Sequence, residues 1–79
     1  MNIERQAIST IANQLGMKAE NILEKHDLVK DLGCDSLDVI ELIIMLEEEF
    51  DIVTEDTQIE KIKTVGDVIG LIKEYVQGK

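Results

Sequence analysis

Residues 36–50 read SLDVIELIIMLEEEF, and this stretch decides the fold. On a helical projection Val39, Leu42, Ile43, Leu46 and Phe50 fall on one face, at steps of three, one, three and four. That spacing predicts an amphipathic helix with a stripe turned to a core. Leu37, Ile40 and Ile44 follow a second stripe, at steps of three and four. A helix with two apolar stripes is either buried all round or offers one stripe to a partner. Asp38, Glu41, Glu47, Glu48 and Glu49 share the segment, and carboxylates are rarely buried unpaired. The outer stripe is therefore expected to face water and a partner.

Two more segments carry the helical period. Ile3, Ala7, Ile8, Ile11, Ala12 and Leu15 form the first, with Asn2 placed to cap its start and Gly16 to end it in the left-handed conformation. Val65, Val68, Ile69, Ile72, Tyr75 and Val76 form the last. Thr64 and Asp67 resemble a capping box there, with Asp in place of the usual Glu. Gly66 and Gly70 weaken that helix by up to about 1 kcal/mol each relative to alanine. Ile59 and Ile62 are spaced for one short helix within 54–62. The connection from Gly16 to Asp35 is long, and Ile22, Leu23, Leu28, Val29 and Leu32 are expected to pin it to the core. Strand signals are absent and the chain has no proline. The expected fold class is all-α: a small antiparallel bundle of three main helices plus one short helix, with residues 1–79 as a single domain.

The chain has 79 residues, 17 acidic and 8 Lys plus Arg, so its net charge is 8 − 17 = −9. That excess argues against nucleic acid and anionic membrane surfaces, which need a basic footprint. With 44% hydrophobic residues a packed core remains available, which separates the chain from acidic disordered segments. One cysteine and one histidine rule out an internal disulfide framework and a multi-Cys or multi-His metal site. No run approaches the ~18 apolar residues of a membrane span, and the start lacks a secretory signal pattern. A cytoplasmic protein is expected, or an organellar one after removal of a transit peptide. Eleven of the acids lie between Asp31 and Glu60, with no Lys or Arg among them. Such a run usually means a solvated face. Here it coincides with the outer apolar stripe, which suits docking onto basic patches of partners.

Asp31-Leu32-Gly33-Cys34-Asp35-Ser36-Leu37-Asp38 leads into the central helix. Asp35 is a good N-cap, which puts Ser36 at the first helical position. Taken alone, Ser36 reads most simply as another cap. The alternative is a phosphate carried on Ser36, favoured by the free N–H groups and positive dipole end of the helix. Asp35 and Asp38 repel a phosphate, and can instead hold a divalent cation weakly for an enzyme acting on Ser36.

At this point the chain resembles the acyl carrier proteins. DLGCDSLDVIELIIMLEEEFDI is similar to their modification-site motif and second helix: D-L-G-x-D-S-L, then an apolar helix ending E-E-E-F-D. Gln14-Leu15-Gly16, Glu60-Lys61-Ile62 and Thr64-Val65-Gly66-Asp67 extend the resemblance over essentially the full length. It is nearest to the freestanding carriers of type II fatty acid synthesis. The resemblance implies a carrier without catalytic activity of its own. A phosphopantetheinyl transferase would move 4′-phosphopantetheine from coenzyme A onto Ser36, within a motif that includes Asp35, Leu37 and Asp38. The arm's thiol would carry acyl groups as thioesters. The resemblance also implies a docking surface of Leu37, Asp38, Ile40, Glu41, Ile44, Glu47 and Glu48. Its partners would be the malonyl transferase, ketosynthase, ketoreductase, dehydratase, enoyl reductase and other acyltransferases, met by a monomer without membrane insertion. Shelter of the acyl chain between the helices would contribute, for seven methylenes, roughly 5 kcal/mol at most.

The chain departs from the family pattern in places. Cys34 stands where alanine is usual, Lys30 where many relatives are acidic, and Leu28 where an aromatic residue is common. Ile52-Val53-Thr54-Glu55 lacks the Ile-Pro step that often follows the second helix. Cys34 reads as a small apolar replacement, with a thiol able to pair with the arm as the sharper alternative. His26 reads as a loop residue. Three rival functions compete with this reading. An acidic cation-binding module fails because EF-hand frames begun at Asp27, Asp31 or Asp35 put Val29, Leu42 or Leu37 at ligand positions. A hydrolase fails because Gly33-Cys34-Asp35-Ser36-Leu37 is not the G-x-S-x-G elbow. A carrier for a specialised acyl or aminoacyl pathway is the nearest alternative; carriers of amino acids or peptides usually have a less acidic second helix and a different residue before the serine.

Overall fold

The computed structural model describes residues 2–77. Helix α1 spans Ile3–Leu15, α2 Ser36–Phe50, α3 Asp56–Ile59 and α4 Val65–Gln77, with a short 3-10 turn at Ala19–Asn21. The all-α expectation holds, with three main helices and one short one. α1 packs on α2, on α4 and on the 3-10 turn, and α2 packs on α4. Ala7, Ile11 and Ala12 of α1, Leu42, Ile43 and Leu46 of α2, and Val65, Val68, Ile69 and Ile72 of α4 fill one core. Val39 and Phe50, assigned to the same stripe of α2, are half-buried at its two ends. Fully burying a side chain such as Leu42 or Leu46 contributes about 1.5–3 kcal/mol.

The helix ends follow from their capping residues. The Asn2 side chain accepts from the Arg5 N–H at 2.9 Å, and Gly16 closes α1 in the left-handed conformation. At α4 the box is complete. Asp67 Oδ2 accepts from the Lys63 and Thr64 N–H groups at 3.0 Å each, and Thr64 Oγ1 accepts from the Asp67 N–H at 3.1 Å.

The long connection is ordered by backbone pairing as well as by apolar anchors. Leu28 donates to the Lys63 carbonyl at 2.8 Å and Val65 to the His26 carbonyl at 3.0 Å, so the loop is stitched to the start of α4. Gly66 explains itself here. Its N–H donates to the Glu24 carbonyl at 2.8 Å, and a Cβ at residue 66 would lie 3.2 Å from that oxygen. Ile22 and Leu28 are buried as expected, and Leu32 is half-buried. Leu23 and Val29 are corrections: they are 48% and 56% exposed and pin nothing. Asp27 is the reason for Val29. Its Oδ1 accepts from the Val29 and Lys30 N–H groups at 2.9 Å, forming a tight turn with the Val29 side chain in water.

The short helix is tied down by polar contacts. Gln58 Oε1 accepts from the Glu55 N–H at 3.3 Å and from the Tyr75 hydroxyl on α4. Glu47 reaches back from α2, and its Oε2 accepts from the Thr54 N–H at 2.6 Å and from Thr54 Oγ1 at 3.0 Å.

The hydrogen bonds from Thr64 and Lys63 hold the Asp67 carboxyl below its ordinary value of 3.8. A carboxyl lowered on folding stabilises the fold fully above its unfolded pKa and ceases to do so as pH falls through the folded one. Asp67→Ala is therefore expected to cost about 1 kcal/mol at neutral pH. The gap between variant and parent should close below the ordinary carboxylate range, as followed by urea unfolding against pH. A pH-independent gap would refute this account.

Candidate functional site

The approach to α2 is built almost wholly from motif residues. Asp31 Oδ2 accepts from the Asp27 N–H at 2.7 Å, and Asp31 and Leu32 both donate to the Asp27 carbonyl. Gly33 then turns the chain at φ +74°, a left-handed conformation that a side chain would strain. Cys34 follows, its N–H bonded to the Leu28 carbonyl at 2.9 Å and its side chain 3% exposed. The acid and glycine of D-L-G are thus the framework of the turn that delivers the serine.

Asp35 and Asp38 form a reciprocal capping box. Asp35 Oδ1 accepts from the Asp38 N–H at 2.8 Å, and Asp38 Oδ2 accepts from the Asp35 N–H at 3.2 Å. The sequence placed Asp35 at the cap but did not reveal the return bond, although Asp at the third helical position is its signal. Each carboxylate gives one oxygen to the backbone. No cluster of three or more His, Cys, Asp or Glu able to hold a metal occurs among the described residues.

Ser36 sits at the first position of α2, exposed, and its hydroxyl makes no hydrogen bond among the described residues. The structure thereby removes the reading of Ser36 as a cap, since Asp35 does that work. The N–H groups in the first turn of a helix lack intrahelical acceptors, so a phosphate on this serine would meet donors and the positive dipole end. An exposed, uncommitted hydroxyl at that place fits a phosphodiester-linked group.

Leu37, Ile40 and Ile44 are 61%, 44% and 47% exposed, as the second stripe required. Glu41 and Glu48 are exposed beside them, so Leu37, Glu41, Ile44 and Glu48 share one face of α2. Asp38 and Glu47 are half-buried, the first in the capping box and the second on Thr54. Glu49 is exposed, and its Oε2 accepts from the buried Thr10 hydroxyl. His26 is half-buried, and its Nδ1 accepts from the Leu23 N–H at 3.0 Å.

The family model described as the phosphopantetheine attachment site matches residues 5–72. That match defines the class of protein: a helical domain whose cofactor is 4′-phosphopantetheine. The chain is 49% identical over 67 residues to the acyl carrier protein of Clostridium acetobutylicum, covering 85% of this chain and 87% of that one. A putative acyl carrier protein from Mycobacterium tuberculosis superposes with a TM-score of 0.82 at 40% identity, over 87% of this chain and 92% of that one. The acyl carrier protein of Thermotoga maritima gives a TM-score of 0.80 at 32% identity, over 92% and 85% of the two chains. The chain belongs to the acyl carrier protein family.

Burial pushes the Cys34 thiol up, and the nearby Asp38 and Asp35 carboxylates push it further. Neither exposure nor thiolate character is present, so the apolar reading of Cys34 stands over the reactive one. In the protein before arm attachment, Cys34 should resist iodoacetamide until denaturant is added, as read by intact mass. Alkylation of the folded protein at the rate of the urea-unfolded chain would refute that burial.

Proposed function

We propose that residues 1–79 form one carrier domain, that Ser36 is the attachment residue, and that the protein carries acyl intermediates of fatty acid synthesis. The single observation that carries the Ser36 assignment is its exposed, unbonded hydroxyl at the start of α2, in a box formed by Asp35 and Asp38. In the transfer the serine oxygen gains a bond to phosphorus, and the nucleotide part of coenzyme A leaves. The attached arm supplies a terminal thiol that holds acyl groups as thioesters. The chain's own residues do the rest. Gly33 and Asp31 hold the serine out from the surface, and the α2 N-terminus meets the phosphate. Leu37, Ile40, Glu41, Ile44 and Glu48 present a ridge to each partner in turn. Asp38 and Glu47 add charge to it while serving the local fold. Membership of a carrier family supports a protein whose catalysis lies in its partners.

The partners in this reading are a phosphopantetheinyl transferase and the malonyl transferase, ketosynthase, ketoreductase, dehydratase and enoyl reductase of the dissociated pathway, met by a monomer in the cytoplasm. The name and bacterial source of the Clostridium relative support this assignment. No described helix is long and apolar enough to cross a membrane.

Incubation with coenzyme A and a broad-specificity phosphopantetheinyl transferase should add one phosphopantetheine by intact mass, and Ser36→Ala should abolish it. An adduct that persists in Ser36→Ala would refute the assignment. Separately, Glu41→Lys and Glu48→Lys should each lower kcat/KM with a cognate acyltransferase by about two- to fivefold at moderate salt while helix content is unchanged. Unchanged kinetics in both would refute the docking face.

A further inference from the structure

A groove of about 230 Å³ lies between the long connection, α2 and the segment before α4. Leu28, Val29, Val39 and Ile62 give it apolar walls, and Lys30, Lys63 and Asp27 stand at its edge. The two lysines bracket the acidic stretch in sequence, one before it and one after. The Leu28–Lys63 backbone hydrogen bond at 2.8 Å sets their segments side by side, and both line the groove. Asp27 is the one acid in the lining. Its Oδ1 is already engaged by the Val29 and Lys30 N–H groups, and its carboxyl is lowered first by the Lys30 N–H and further by the charges of Lys30 and Lys63. The edge therefore carries two cations against one committed carboxylate, on a protein of net charge −9. Val39 lies three residues along α2 from Ser36, on the same side of the helix, so the groove opens one turn from the proposed attachment point.

We propose that Lys30 and Lys63 make this groove selective for short cargo ending in a carboxylate, the methylenes lying on Val29, Val39 and Ile62 and the carboxylate between the two ammonium groups. This rests on arm attachment at Ser36. An apolar wall with a cationic edge matches an amphiphilic chain with an anionic end better than a plain hydrocarbon. The volume is below the ~300–1,000 Å³ of pockets that take drug-sized ligands, which matches a cargo of a few carbons. The edge lysines are exposed, so the expected preference is modest, about two- to fivefold in the docked population, and it falls with salt.

The test compares glutaryl and pentanoyl cargo, of equal chain length, loaded from their coenzyme A thioesters by the transferase onto the full chain. Intact mass is measured first, and an unmodified mass overturns the Ser36 reading and this inference with it. Amide chemical shifts are then read at Val29, Lys30, Val39, Ile62 and Lys63, with the arm alone as reference. Larger shifts with glutaryl than with pentanoyl are expected, and the difference should vanish in Lys30→Gln/Lys63→Gln and shrink with salt. Equal shifts for both cargoes, or a difference that survives in the double variant, overturn the proposal. Shifts already complete with the unloaded arm assign the lysines to its phosphodiester and overturn it too.

Discussion

Helix α2 serves two environments at once, a core on one side and water on the other. The inner stripe of α2 supplies Leu42, Ile43 and Leu46 to the core that α1 and α4 close over. The outer stripe keeps Leu37, Ile40 and Ile44 in water among carboxylates. A small chain has few apolar residues to spare, so leaving three on the surface costs core material. The like charges beside them add self-repulsion. The fold offsets this with hydrogen bonds from the acids themselves. Asp35 and Asp38 close the start of the helix, Glu47 fastens Thr54, and Glu49 meets Thr10.

These bonds divide the acidic stretch into two populations. Glu41 and Glu48 are exposed and available to a basic surface. Asp31, Asp35, Asp38, Glu47 and Glu49 each hold a backbone or side-chain donor of this chain. The net charge alone therefore overstates how much of the acidity is uncommitted. A partner meets a face whose geometry is fixed by the same groups that give it its sign.

The helices are legible in the sequence because apolar spacing and caps are local signals. α2 begins at Ser36 and ends at Phe50, as its pattern predicts, and Asn2, Gly16 and Thr64 cap as their types suggest. The exposure of the outer stripe follows from charge placement in the same helix. The loop is less legible. Leu23 and Val29 look like anchors by residue type, but the Asp27 turn and the pairing of residues 27 and 64 decide which side chains reach the core. Gly66 looks like a weak point in a helix until the Glu24 carbonyl appears beside it. The placing of Lys30 and Lys63 on one groove is likewise invisible in sequence, because only tertiary backbone pairing brings their segments side by side.

The seat of Cys34 has a chemical consequence. Acyl thioesters exchange readily between sulfur atoms, and the attacking species is the thiolate. Cys34 lies two residues from Ser36, yet it is buried, and that burial together with Asp38 and Asp35 pushes its thiol up, away from the thiolate. The folded polypeptide thus offers no exposed thiol to its own cargo, and exchange onto sulfur is disfavoured at the place where proximity would otherwise favour it.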